Sequence, residues 1–183
     1  MFKTGLVSVS FREHTPREIL TAMKNVGLRY IEWGSEDYTP QEKERFIEEC
    51  RRLAAIAGEQ AVTLCLECHN RTMTDRADSA LELMERVGSQ HFRMYWQPNQ
   101  LRSREVNLAY AEKLAGYTDT IHVFNWRGTE RFPLSEGLEA WRQYLQRFSG
   151  NETLLLEFMP DDSLDSLPAE TDALFHLSGG VKQ

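Results

Sequence analysis

TLCLECHNRTMTD, residues 63–75, opens like a buried strand but carries Glu67 and His69 where apolar residues belong. Side chains on a strand alternate between its two faces, so Thr63, Cys65, Glu67 and His69 share one face. The other face is apolar. A chain that needs a core has placed a carboxylate and an imidazole in it, and the rest of the sequence has to explain why.

The same pattern recurs on both sides of this segment. GLVSVSF (5–11), RYIEW (29–33), FRMYW (92–96), TIHVFNW (120–126) and TLLLEFM (153–159) also read as strands, and each of the six precedes a helix. The first helix, HTPREILTAMKNVG (14–27), has a cap at Thr15, Pro16 at its first position, Glu18 completing a capping box and Gly27 as a stop. In the second, residues 39–58, Phe46, Ile47, Cys50, Leu53 and Ala54 recur at helical spacing, and Gly58 ends it. Residues 75–88, 103–114, 137–148 and 166–177 supply the others. Alternation of this kind argues a parallel sheet with helices outside, either an open doubly wound sheet or a barrel.

The strand faces favour the barrel. Ser8 and Ser10 share a face of the first strand, and Glu32 sits on one face of the second. Arg93, Tyr95 and Gln97 share a face of the fourth, Thr120, His122, Phe124 and Trp126 of the fifth, and Leu155, Glu157 and Met159 of the sixth. In a barrel these faces converge on one axis, and residues near the carboxyl ends of the strands meet at the mouth. Glu67, Gln97, His122 and Glu157 all lie near those ends. Two carboxylates, an imidazole and an amide oxygen suit Mn²⁺, Mg²⁺, Co²⁺ or Zn²⁺. A cation is a physical reason to keep two buried carboxylates together, since each left unpaired costs several kcal/mol.

Composition narrows the class. With 183 residues, 41% hydrophobic and 27% charged, the chain is expected to form one domain, 1–183. Its net charge of −7 argues against nucleic acid and anionic membranes as partners. No apolar run approaches a membrane span and the amino terminus lacks signal-peptide features, which gives a cytoplasmic expectation. Cys50, Cys65 and Cys68 are too few and too clustered for a disulfide framework. The Cys65/Cys68 pair reads as small packing residues rather than half a zinc site.

LECHNRTMTD, YWQP, IHVFNW with the following PLSEGLEAWRQYL, and LLLEFMPDDS resemble the later strands of the xylose isomerase-like TIM-barrel superfamily, the sugar (phosphate) isomerase/epimerase group. GLVSVSFREHTPREILTAMKNVGLRYIEWGSE resembles the beginning of the same barrels. The resemblance implies a divalent metal held by Glu, Asp, His and Glu on four successive strands, positions matched here by Glu67, Gln97, His122 and Glu157. Gln97 departs from the Asp. The third and fourth β-α units of an eight-unit barrel are expected to be absent, leaving about six units and sheet edges that invite pairing with a second copy.

The implied activity is metal-dependent isomerisation or epimerisation of a small sugar or sugar phosphate. Glu67 and Glu157 would move the proton next to a carbonyl through an enediolate. The alternative is a catalytically silent barrel remnant that binds metal, sugar or a partner chain; metal-dependent phosphodiester cleavage ranks third. His14, Trp33, His69, Trp96 and Trp126 are the candidates for substrate contact. Each also has a plainer reading: His14 as a solvated loop residue, His69 and His122 as core histidines, the tryptophans as packing over the barrel end. Glu32 reads equally as the salt-bridge partner of Arg93. Asn70, Arg71 and Asp75 follow Glu67 and are placed at the mouth, with Asp75 also readable as a helix cap.

Overall fold

The structure, a computed structural model, describes residues 5–7, 14–28, 30–32, 39–70 and 72–179. The expectations for Ser8, Ser10, Trp33 and Arg71 fall outside those residues. The chain divides into two compact units, Met1–Lys43 and Glu44–Gln183.

In the first unit, β1 (Gly5–Val7) and β2 (Tyr30–Glu32) pair in parallel around α1 (Pro16–Asn25). The expected capping box is present: the Thr15 hydroxyl accepts from the Glu18 amide, and the Glu18 carboxylate accepts from the Thr15 amide at 2.7 Å. Gly27 takes a left-handed conformation, φ 77°, just after the helix, where a side chain would be strained. A second capping box, Thr39 with Glu42, opens α2 (Pro40–Glu59) and was equally readable from the sequence.

The second unit holds the remainder of α2 and then alternates β3 (Leu64–Glu67), α3 (Ala77–Val87), β4 (Phe92–Trp96), α4 (Arg104–Leu114) and β5 (Thr118–Val123). A short hairpin follows, β6 (Trp126–Arg127) with β7 (Glu130–Arg131), then α5 (Leu138–Leu145), β8 (Thr153–Leu156) and α6 (Leu167–Ser178). The sheet order is β3-β4-β5-β8, and every neighbouring pair is parallel. Among the described residues the second unit thus holds four parallel strands in one sheet, half the number of a complete TIM barrel, and β1 and β2 form a separate parallel pair in the first unit.

Burial follows the period-two reading. In β4, Phe92, Met94 and Trp96 are buried while Arg93 and Tyr95 are half-buried. Met94, Trp96, Ile121 and Val123 are fully buried together with Ile47, Leu83, Met84, Leu114 and Leu134. Each contributes about 1.5–3 kcal/mol relative to exposure. Cys50 and Cys68 are buried, and burial pushes the Cys68 thiol up to about 12, which suits packing rather than reactivity.

Several expectations are corrected. Trp96 does not contact the mouth: it is fully buried, with its ring against Trp141, Tyr144 and Phe148 at centroid distances of 6.3, 5.5 and 5.2 Å. Because Arg93, Tyr95 and Gln97 take one face of the strand, alternation sends Trp96 to the helix side. Residues 120–126 are not one strand. β5 stops at Val123, and a two-residue turn at Gly128, φ 64°, folds Trp126–Arg131 back on itself as an antiparallel pair. The reading of Glu32 as the salt-bridge partner of Arg93 falls on a side chain outside the described residues; Arg93 itself donates to Asp119 at 2.8 Å and to the Gly116 carbonyl at 3.0 Å. Asp75 does not cap α3, whose N-cap is Arg76 without a side-chain bond.

Candidate metal centre

Four adjacent strand ends carry the candidate ligands. Glu67 is the last residue of β3, Gln97 follows β4, His122 is the penultimate residue of β5, and Glu157 follows β8. The ladder extends past two of those ends, with the Cys68 amide donating to the Tyr95 carbonyl at 2.9 Å and the Glu157 amide to the Val123 carbonyl at 3.2 Å. These bonds hold the ligand-bearing residues at adjacent levels on one face.

The result is a cluster. One ligand atom each from Glu67, His122 and Glu157 lies within 4.8 Å of the others. Gln97 sits between two of them: its Nε2 donates to Glu67 Oε1 at 2.9 Å and to the Cys68 carbonyl at 3.0 Å, while its Oε1 lies 3.2 Å from His122 Nδ1. Both amide hydrogens are therefore spent orienting Glu67 and the strand end. The Glu157 Oε2 atom is buried, with no hydrogen-bond partner among the described residues, and lies 3.6 Å from His122 Nδ1. At that distance, with Nδ1 facing Gln97, the contact is proximity rather than a bond.

The electrostatics describe an unmet need for positive charge. Burial, and then the negative charge of Glu67, raise the Glu157 carboxyl to about 7, with His69 pulling the other way. Burial lowers His122 despite Glu67 nearby, so its neutral, ligating form is favoured. An orphaned buried carboxylate oxygen, a second carboxylate and a neutral imidazole fit a divalent cation by donor type. The residues that would hold it are Glu67, His122 and Glu157, with Gln97 supporting them.

Glu67 is braced from the loop that follows it. The Thr74 hydroxyl donates to the Glu67 carbonyl at 2.7 Å, and the Tyr110 hydroxyl donates to the Thr74 carbonyl at 2.5 Å. Around the cluster opens a cavity of about 280 Å³, lined on one side by Phe124, Trp126 and Phe158 and on the other by Asn70, Asp75, Asn99 and Arg102. That is near the lower end of ligand cavities, which start at roughly 300 Å³.

Of the expected substrate contacts, His69 and Trp126 line this cavity; Asn70 and Asp75 do too. His14 is exposed at the start of α1, in the first unit. Sequence reasoning missed Asn99, Arg102 and Asn107. One signal was available: Asn107 stands in the stripe Asn107, Tyr110, Ala111, Leu114, where an apolar residue belongs, and it is buried.

Residues 17–171 match the family described as xylose isomerase-like TIM barrel. No curated protein matches the chain in sequence. Among solved structures, a probable 3-DHS dehydratase from Bacillus anthracis, AsbF, superposes with a TM-score of 0.63 at 18% identity, over 86% of this chain and 67% of its own. A xylose isomerase-like TIM barrel protein from Mycobacterium smegmatis in complex with magnesium gives 0.61 at 13% identity, over 96% and 83%. D-psicose 3-epimerase with D-tagatose, from Clostridium cellulolyticum H10, gives 0.55 at 13% identity, over 91% and 69%. At such identities the likeness is one of fold.

Proposed function

The chain belongs to the xylose isomerase-like TIM-barrel family, and from that premise we propose that it is a divalent-metal-dependent isomerase or epimerase of a small sugar or sugar phosphate. The observation that carries the reading is the convergence of Glu67, His122 and Glu157 around a buried, unpartnered Glu157 oxygen. Solved relatives of the same fold include one in complex with magnesium and a ketose epimerase, which supports the same direction. Because the family match runs across residues 43 and 44, the two units are read as parts of one domain. A cytoplasmic homo-oligomer remains part of the proposal. Among the described residues no helix is long and apolar enough to cross a membrane.

A divalent cation at this centre supplies positive charge beside the carbonyl and hydroxyl oxygens of the substrate, stabilising negative charge that develops there. Everything else falls to the chain. Glu67 Oε1 is held by the Gln97 amide, so Oε2 is the oxygen left to accept a proton from the carbon next to the carbonyl. Glu157 faces the same space and is the second carboxyl able to hold or return a proton. Phe124, Trp126 and Phe158 form a wall that excludes water and offers flat apolar faces to a sugar ring. Gln97 keeps Glu67 and His122 in register.

The test is exchange of carbon-bound hydrogen. With Mn²⁺ or Co²⁺ bound, the protein in D₂O should incorporate deuterium beside the carbonyl of at least one pentose, hexose, ketose or sugar phosphate. Glu67→Gln or Glu157→Gln should lower the rate by orders of magnitude. A second reading, the catalytically silent remnant, is favoured by one observation: Gln97 brings a neutral amide, with both hydrogens already committed, where the family places an acid. Metal binding with no exchange across the panel would establish that reading.

A further inference from the structure

The three proposed ligands are held to different degrees. His122 lies inside β5, and Glu67 ends β3 with its carbonyl bonded to the Thr74 hydroxyl and its Oε1 to the Gln97 amide. Glu157 stands one residue past the end of β8, where the ladder adds one bond of 3.2 Å, from its amide to the Val123 carbonyl. Its placement therefore depends on what holds the next two residues, Phe158 and Met159. Both are held from the hairpin that follows β5. Arg131 Nη1 donates to the Met159 carbonyl at 3.3 Å, and the same nitrogen is paired with Asp162 further along that loop. The guanidinium carbon lies 5.4 Å from the ring centroids of both Trp126 and Phe158, a distance at which a cation is attracted to an aromatic face. The two rings meet at 4.9 Å, and Phe158 also packs on Phe124 at 5.7 Å. One side chain thus ties together the hairpin, the aromatic wall of the cavity and the segment that carries Glu157.

The hairpin is a firm anchor for this grip. At its root the Phe132 amide donates to the Asn125 carbonyl and Asn125 Nδ2 donates to the Pro133 carbonyl, each at 2.8 Å. A Cβ at position 137 would come within 3.1 Å of Asn125 Cγ, so Gly137 is what lets that side chain close the root. The pairing with Asp162 counts for less, because the Asp162 side chain is 73% exposed and exposed ion pairs contribute little. What remains is a planar guanidinium against two rings with a backbone carbonyl at its edge. A lysine cannot reproduce that contact.

Resting on the metal centre proposed above, we infer that Arg131 is a positioning residue, a clasp that holds residues 157–159 against the hairpin and so presents Glu157 to the cation. The coupling runs both ways. A cation that fixes Glu157 also fixes the Phe158 ring and the Met159 carbonyl that Arg131 grips, so metal binding favours the closed hairpin and the aromatic wall it carries. Without the clasp, metal binding itself has to order this segment, and affinity falls. Losing a partner that orients a ligand typically costs about 10–100-fold in metal affinity, and the lower end is expected here because the bond to Val123 remains.

The experiment combines Mn²⁺ calorimetry with hydrogen exchange of the hairpin, read by mass spectrometry on peptides within residues 126–132. Arg131→Ala and Arg131→Lys should each bind Mn²⁺ about tenfold more weakly than the wild type. Asp162→Asn, whose asparagine suits the positive φ of 54° at that position, should stay within about twofold. By reciprocity, Mn²⁺ should slow hairpin exchange in the wild type by up to about tenfold and leave it nearly unchanged in Arg131→Ala. The hairpin carries none of the proposed ligands, so a merely structural contribution of Arg131 would speed its exchange equally with and without the metal. Thermal unfolding checks that the variants are folded, and if Arg131→Ala does not fold, Arg131→Lys carries both measurements. A wild-type Mn²⁺ affinity in either Arg131 variant overturns the inference. So does hairpin exchange that Mn²⁺ slows as much in the variant as in the wild type, or a loss in Asp162→Asn equal to that in Arg131→Lys. If the wild type binds no Mn²⁺, the metal reading itself fails, and this inference with it.

Discussion

Raising the pH from 6 to 8 should tighten Mn²⁺ binding by about tenfold, ~1.4 kcal/mol, through the ionisation of Glu157. Its carboxyl is raised from 4.5 to about 7 by burial first and by the charge of Glu67 second. A group titrating near 7 is roughly one-tenth ionised at pH 6 and nine-tenths at pH 8, and only the ionised form is a ligand. Burial lowers His122 from its usual 6.5, so the imidazole adds less to the proton count. In the metal-free protein the linkage has the opposite sense. A carboxyl whose folded value lies above its unfolded one contributes stability that is full below about pH 4.5 and lost as the pH rises to 7, at most about 3 kcal/mol. The assay is titration calorimetry with Mn²⁺ in two buffers of different ionisation enthalpy, which counts protons released on binding. About one proton should leave at pH 6, half of one near 7, and almost none at 8. Glu157→Gln should bind Mn²⁺ far more weakly and show no such slope. An affinity flat from pH 6 to 8, or no proton release at pH 6, would refute the assignment of Glu157 as a buried, cation-seeking ligand.

Three further outcomes are expected. Gln97→Ala removes the amide that orients Glu67 and His122 and should cost about tenfold in Mn²⁺ affinity, read by the same calorimetry; an unchanged affinity would mean that Gln97 is a bystander. Trp96→Ala should destabilise the fold by about 3–5 kcal/mol in a denaturant melt, whereas Trp126→Ala should weaken sugar binding with a smaller loss of stability. Equal stability losses would contradict the placement of Trp96 in the core and of Trp126 at the cavity. Sedimentation at micromolar concentration should show self-association, since Leu155 on β8 is exposed and β8 is an edge of the four-stranded sheet; a well-behaved monomer would exclude it.

How much of this was legible in the sequence varies with the range of the interaction. The capping box of Thr15 and Glu18, the span of β4 and the helix beginning at Ser103 all lie where local patterns put them. The break after Val123 went unread because TIHVFNW keeps its alternation through Trp126, and the signal for the hairpin, Gly128 in a two-residue turn, lies beyond the strand-like run. Trp96 was misplaced for a related reason. It stands at a strand end next to Gln97, and naming it as a mouth residue overrode the alternation that sends it to the other face.

What the sequence by itself determined is what depends on neighbours within a few residues. This covers the helix starts and stops, the period-two faces, and the placement of Glu67, Gln97, His122 and Glu157 near the carboxyl ends of their strands. What only the tertiary structure decided depends on contacts between residues far apart in the chain. That Glu157 is left with a buried oxygen, unpartnered among the described residues, follows from how β8 lies against β5, and that Asp75 meets Arg102 follows from two loops meeting across 27 positions of sequence. Local patterns report which face a side chain takes because backbone geometry repeats every two or 3.6 residues. They carry no information on which distant charge will stand opposite, because that is set by the packing of the sheet.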